Sequence, residues 1–238
     1  MLRIDTQTDP VLRQQEESCA IVPVGSIEQH GPHLPVSTDS DLVTAVAERV
    51  GSGDNFLVTP TITTGVSFEH APFFNISIRA STLSLILQDV CDSLYSNGIK
   101  YVFVINGHYG NKKALEGFVK ERQSNKPVVR VFSYWEFTGR RFDHAGFMET
   151  SLMLAVSDRV IMSKAQKGLD TSNMTDEEIT DIKKISLESF PKATGNGIWG
   201  DPRQATADEG RSILNEIVQN MQQELQSQMH NFKNNPQC

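Results

Sequence analysis

Short apolar runs of strand length alternate along this 238-residue chain with longer stretches of helical periodicity, and no other feature restricts its fold as strongly. The runs are Ala20–Val24, Phe56–Val58, Lys100–Ile105 and Pro127–Phe132. They are nearly continuous in apolar residues, which is the pattern of strands buried on both faces of a parallel sheet covered by helices. Between them, Leu42–Val50 reads as a helix capped by Asp39 or Asp41. Leu83, Ile86, Leu87, Val90 and Leu94 share one helical face, with Ser81 or Thr82 as the cap and Asn97-Gly98 as the stop. Further helices are expected over 111–123, 150–156 and, in short form, 175–179. Ile213, Leu214, Ile217, Val218, Met221 and Leu225 mark an amphipathic C-terminal helix. The expectation is one α/β domain over 1–238, a three-layer, mostly parallel sheet flanked by helices, with a frayed polar tail from about residue 231. From Met162 to about Thr206 the pattern weakens into a long irregular stretch ending in a glycine-rich run, the kind of segment used for function or subunit contact.

Composition removes several classes of function. No stretch reaches membrane-spanning length, and the first ten residues lack a basic and apolar leader, so the expected location is the cytoplasm, with no membrane partner. Cys19, Cys91 and Cys238 are odd in number and fall outside any Cys-x-x-Cys pattern, which excludes a disulfide framework or thiolate zinc site as the expectation. A formal net charge of −7 argues against nonspecific nucleic-acid binding, and Arg140-Arg141 is too short a basic run to reverse that.

In an open parallel sheet, ligands gather beyond the carboxyl ends of the strands, and the chemically loaded motifs fall there. Glu28 and His30, two apart, project from the same side of extended backbone after the first run, and Asp39 returns after a turn at Gly31-Pro32. A carboxylate beside an imidazole suits zinc, manganese or iron better than calcium or magnesium. Asp39 and Asp41 also read as a helix start: one is a cap, and the other could bridge two cations. Asn106-Gly107-His108 follows a buried strand and precedes a helix, as either a ligand-binding turn or a tight connection. Asp143 and His144 set an acid and a base ahead of an apolar helix, where Glu149 is either functional or a first-turn partner of the helix dipole. His33 is a ligand or orients one. Glu69-His70 lines a pocket or supports one.

These motifs identify a resemblance to the creatininase family, the creatinine amidohydrolase-like metal hydrolases. It is carried by Pro23 to Pro35, Thr38-Asp39, Gly65 to His70, Asn106 to Asn111, His144-Ala-Gly with Glu149-Thr-Ser151, and Gly200-Asp-Pro202 with Ala207 to Gly210. The resemblance implies a creatininase-like three-layer fold, a homohexamer and two divalent cations, zinc first with manganese or iron as alternatives. By motif position Glu28, His30, Asp39 and His108 match metal ligands, Asp39 being the bridging one. Creatininase has a further glutamate two residues after the histidine of Asn-Gly-His. Here that position is Gly110, which argues against creatinine as substrate and assigns Glu149 to the missing carboxylate.

The expected activity is hydrolysis of a carbon–nitrogen bond in a small amide, cyclic amide or formamide, a non-peptide substrate. A cation-bound water, acidified from about 15.7 towards about 7, is the expected nucleophile. His144, oriented by Asp143, would pass a proton to the leaving nitrogen. Ser67, Trp135 and Glu136 are the expected shapers of the substrate pocket. The alternatives are a formamidopyrimidine-nucleotide deformylase, with Arg79, Arg140 and Arg141 as phosphate donors, a peptidase trimming a peptide-derived redox cofactor, and a noncatalytic metal-stabilised oligomer.

Overall fold

A computed structural model describes residues 2–15, 19–52, 56–122, 126–141 and 143–234. In chain order its strands are β1 (Leu2–Arg3), β2 (Cys19–Val24), β3 (Ile27–Glu28), β4 (Phe56–Val58), β5 (Asn75–Ile76), β6 (Tyr101–Asn106) and β7 (Val128–Ser133). The helices are α1 (Asp9–Leu12), α2 (Thr38–Val50), α3 (Ala80–Ser96), α4 (Lys112–Glu121), α5 (Phe147–Val156), α6 (Asp176–Glu188), α7 (Phe190–Thr194) and α8 (Ala207–Asn234).

Five strands form one parallel sheet in the order β1-β4-β2-β6-β7. The central strand β2 is buried at all six positions, because its two faces serve two cores. Cys19 and Ile21 pack with α2, α5 and α8, whereas Ala20, Val22 and Val24 pack with α3 and α4. This gives the expected three layers. Among the described residues, no helix is long and apolar enough to cross a membrane.

The order of strands also fixes where a ligand site can form. From β2 the chain steps to β4 with α2 on one face, then returns across β2 to β6 with α3 on the other, and continues to β7 with α4 on that same face. Opposite directions of travel with helices on opposite faces are what right-handed crossovers require. The connections therefore diverge between the neighbours β2 and β6, whose ends pair as Val24 with Asn106. The crevice beyond that pair is the switch point where α/β sheets bind ligands.

Several helix boundaries differ from the sequence expectation. Helix α2 begins at Thr38, so Asp39 and Asp41 both sit inside its first turn and neither caps it. Asp41 instead accepts from the Ser37 hydroxyl at 2.8 Å and from Arg159 at 2.6 Å. Helix α3 starts after Arg79 without a side-chain cap, leaving Ser81 and Thr82 within it, while the expected stop holds, with Gly98 at φ +90°. Helix α5 begins at Phe147, three residues early, because the Asp143 carboxylate accepts from the Met148 and Glu149 amides. Helix α6 runs well past the expected 175–179, from a reciprocal cap between Thr175 and Glu178. Helix α8 continues to Asn234 because Phe232 is buried and stacks on Tyr101 at 4.7 Å; residues 235–238 of the expected tail lie outside the described residues. The antiparallel pair β3–β5 was too short to leave a sequence pattern.

Candidate metal centre

Beyond β2 and β6, carboxylates and imidazoles from separate segments converge. Glu28 comes from β3, His30 from the turn after it, Asp39 from α2, His108 from the end of β6 and Glu149 from α5. All five are buried. Asp39 stands between the two histidines, with Oδ1 3.2 Å from His30 Nε2 and Oδ2 3.1 Å from His108 Nδ1. Glu28 Oε2 lies 3.2 Å from His108 Nε2, and Glu149 Oε2 lies 3.5 Å from His30 Nε2. The donors form two groups sharing Asp39: Glu28, Asp39 and His108 on one side, His30, Asp39 and Glu149 on the other. A third grouping joins His144 to Glu28 and His30.

This donor set fits divalent cations. Both Glu28 oxygens, His30 Nε2 and Asp39 Oδ2 are buried without a hydrogen-bond partner, a costly condition in a protein interior unless a ligand satisfies them. Ligands about 2.0–2.2 Å from one cation stand roughly 3–3.5 Å apart, as His30 Nε2 does from Asp39 Oδ1 and Glu149 Oε2, whereas His108 meets Asp39 through Nδ1 and Glu28 through Nε2. His30 Nδ1 lies 3.1 Å from the Glu28 backbone carbonyl; donating its N–H there leaves Nε2 bare towards Asp39 and Glu149. Burial drives the Glu28 and Glu149 carboxyls up from their usual range against the pull of nearby imidazoles. Burial works against His30 and His108 too, but Asp39, Glu28 and, for His30, Glu149 outweigh it and push both to about 10. Asp39, also buried, is held far below the carboxylate range by those two imidazoles. Without cations the cluster therefore holds protons that a dication would displace.

Around this set lies a ring of supporting residues. His70 Nε2 is 3.2 Å from Glu28 Oε1, and its ring stacks on Phe190 with centroids 4.6 Å apart. Burial pulls the His70 pKa down to about 3. His33 bonds through Nε2 to the Thr150 hydroxyl at 2.9 Å and lies in none of the three donor groups, so it orients the start of α5. Ser67 was expected to shape the substrate pocket, but it is fully buried behind the cluster, bonded to the Ser26 hydroxyl and 3.4 Å from His108 Nε2.

The expected pairing of Asp143 with His144 is not present. Asp143 is engaged by the amides that open α5, and burial still pushes its carboxyl up to about 6 against those bonds. The His144 ring instead meets Gln29, with Nε2 3.2 Å from the Gln29 carbonyl, while Nδ1 faces Glu28 Oε1 at 3.9 Å. Burial lowers the His144 pKa well below its ordinary value, so the ring is neutral. Gln29 was missed because the sequence argument followed only residues with metal-ligand chemistry. Its position between Glu28 and His30 was the available signal.

The compensation expected between Gly110 and Glu149 does not hold geometrically either. Glu149 stands on the His30 side, whereas a Cβ at Gly110 would run into the Val66 carbonyl and the His108 ring, on the opposite side. The carboxylate beside Gly110 is Glu69, whose Oε1 lies 2.6 Å from that Cβ position and 3.8 Å from His108 Nε2.

The cluster opens into a cavity of about 280 Å³, whose walls include Glu69, Tyr109, Trp135, Lys183, Phe190 and Trp199. Trp135 is among these walls. Glu136 does not line the cavity and pairs with Lys112 at 2.6 Å. Arg79, Arg140 and Arg141 do not line the cavity, and Arg140 is bound to Glu209 on the surface. Lys183, from the unexpectedly long α6, is the one cation in the wall among the described residues.

Known proteins resemble this chain in sequence and in fold. A profile of the creatininase family, described as creatinine amidohydrolase, matches residues 6–225. A mycofactocin precursor peptide peptidase of Mycobacterium ulcerans (strain Agy99) is 33% identical over 210 residues, covering 83% of this chain and 80% of that protein. A creatinine amidohydrolase of Pseudomonas putida is 27% identical over 232 residues, covering 84% and 85%. Among solved structures, a mutant creatininase of the zinc–zinc type superposes with TM-score 0.81 at 24% identity over 95% of this chain and 98% of that one. A manganese creatininase gives TM-score 0.76 at 23% identity, covering 96% and 98%. On the profile match and the peptidase identity together, the chain belongs to the creatininase family of hydrolases.

Proposed function

We propose that this protein is a binuclear metal-dependent amidohydrolase that cleaves a carbon–nitrogen bond of a small amide, cyclic amide or formamide. The observation that carries this reading is the set of buried, unpartnered donor atoms at the sheet's switch point, opening directly into the cavity. Glu28, Asp39 and His108 would hold one cation and His30, Asp39 and Glu149 the other, with zinc the first choice and manganese or iron the alternatives. Bound there, the cations supply Lewis acidity and a water acidified from about 15.7 towards about 7. His144, neutral and at the cavity wall, carries a proton to the leaving nitrogen. Trp135, Tyr109 and Phe190 pack on the substrate and exclude water.

A second reading is peptide-bond cleavage, favoured by the identity to the Mycobacterium ulcerans peptidase. The nucleotide reading rests on 28% identity over 160 residues to a deformylase of Methanothermus fervidus, and among the described residues no arginine lines the cavity to bind phosphate. We also propose a homo-oligomer, supported by the exposed apolar side chains Phe68, Phe74 and Ile76. Light scattering on the purified protein tests that.

The deciding experiment incubates zinc- or manganese-loaded protein with creatinine, simple formamides, a formamidopyrimidine nucleotide and short peptides, scoring creatine, formate and free amine separately. Release of amine from a small amide supports the first reading, and cleavage confined to peptides replaces it with the second. No turnover of any class by fully loaded protein would leave a noncatalytic metal-stabilised assembly.

A further inference from the structure

Gln29 sits between two of the candidate ligands, and its amide is held in one orientation by groups whose polarity cannot change. The Gly31 backbone N–H donates to Gln29 Oε1 at 3.0 Å, and Gln29 Nε2 donates to the Gly197 carbonyl at 3.2 Å. Reversing the amide would set donor against donor and acceptor against acceptor. Gly197, with φ +78°, lies so close that a Cβ there would run into the amide oxygen, so the glycine-rich segment is pressed against this side chain.

The remaining Nε2 hydrogen meets two imidazoles, His70 Nδ1 at 3.1 Å and His144 Nε2 at 3.3 Å. The amide has two hydrogens and one is committed to Gly197. The nearer acceptor, His70 Nδ1, takes the other, so the His70 proton resides on Nε2, the ring nitrogen 3.2 Å from Glu28 Oε1. His144 Nε2 then carries a hydrogen of its own and donates to the Gln29 backbone carbonyl at 3.2 Å. Its Nδ1 is left as a bare lone pair on the side of Glu28. The ring is packed against His30 at 4.2 Å and, edge-on, Phe190 at 4.5 Å, while its backbone is fixed by hydrogen bonds exchanged with Trp199 at 3.1 and 2.8 Å.

We propose that Gln29 is a positioning residue that sets the tautomers of both histidines: Nε2–H in His70, so that an N–H and not a lone pair lies on the side of Glu28, and Nε2–H in His144, so that a lone pair at Nδ1 faces the cluster. The proposal on tautomers stands independently of the hydrolase reading; only its consequence for turnover rests on that reading. It also gives the glycine-rich segment a task, since Gly197 and Trp199 fix Gln29 and His144 together.

The test uses the full-length protein labelled with ¹⁵N-histidine, with imidazole nitrogens observed by long-range proton–nitrogen correlation in the chelated and zinc-loaded states. The wild type should show His70 and His144 both as Nε2–H tautomers. In Gln29→Glu, nearly identical in shape, the donor to His70 becomes an acceptor, and His70 should move its proton to Nδ1. Zinc affinity, measured by competition with a chelator, should fall about 10- to 100-fold, the usual cost of losing a residue that orients a ligand. Gln29→Met, uncharged and of similar volume, should lose the His70 preference without adding a buried charge. A wild-type spectrum with His70 as Nδ1–H or His144 with a bare Nε2 would overturn the proposal even if neither variant folds. So would a folded Gln29→Met with wild-type tautomers and zinc affinity.

Discussion

At the scale of single residues, the centre is a collection of groups that are unfavourable alone and favourable together with a cation. Glu149 shows this most directly. It is buried, accepts the Ala145 amide at 2.6 Å and has a carboxyl driven up by that burial. A neutral glutamine keeps the amide contact while removing the charge that burial penalises. Glu149→Gln should therefore leave the chelated protein at least as heat-stable as wild type while reducing bound zinc towards one ion per chain, as elemental analysis would show. Unchanged stoichiometry would remove Glu149 from the metal reading. His144→Ala tests the proton carrier. Turnover should fall by about 10²-fold or more with metal content retained, and loss of metal would instead make His144 a ligand, consistent with its grouping with Glu28 and His30.

At the scale of elements, α5 delivers Glu149, and its start is set by Asp143. That carboxylate bonds the Met148 and Glu149 amides from a position before Gly146, where a Cβ would collide with it. Removing a side chain that satisfies helix N-terminal amides costs about 0.5–2 kcal/mol. Asp143→Ala should lower unfolding free energy by about that amount in denaturant titrations and weaken zinc binding as Glu149 shifts. Asp143→Asn, which keeps an acceptor, should retain most of both. If Asp143 instead oriented His144, Asp143→Asn would reduce turnover with stability intact. The same local logic explains α2: its first turn presents Asp39 inward and Asp41 outward to Arg159, so one helix start serves both the cluster and the surface.

For the whole molecule, stability without metal should depend on pH in a defined direction. The folded-state pKa values of His30 and His108 are raised from 6.5 to about 10, so they bind protons in the native state that the unfolded chain releases earlier. Their contribution is fully present below pH 6.5 and is lost as pH rises towards 10. Glu28 and Glu149, also raised, add loss in the same direction from above their ordinary carboxylate range. Cations replace those protons. The melting temperature of chelated protein should thus fall below that of zinc-loaded protein by a margin that widens from pH 6.5 to pH 9, at about 2–4 °C per kcal/mol for a chain of this size. Scanning calorimetry on both states would check it, and a margin that narrows over that range would contradict the assignment.

Where β2, β4, β6 and β7 would form, and that they would be parallel and enclosed, was legible in the sequence alone, because runs such as Ala20–Val24 and Lys100–Ile105 are too uniformly apolar to face water on either side, whereas β1 and the antiparallel β3–β5 were too short to show. Local chemistry singled out Glu28 and His30, since ligand-type residues following buried strands emerge at one rim, while Asp39 over Asp41, and His108 as more than a tight connection, were named only by the family resemblance. What only tertiary structure decided were the pairings across distance. Asp143 and His144 are neighbours in sequence yet bond to different partners, one to the amides of α5 and the other to Gln29. Glu149 and Gly110 were linked by motif but stand on opposite sides of Asp39. Lys183 entered the cavity wall because α6 extended beyond its local cap signal, and Phe232 ordered the end of α8 by stacking on Tyr101. Periodicity and capping report on neighbours along the chain, whereas these contacts join residues brought together only when both faces of the sheet are covered.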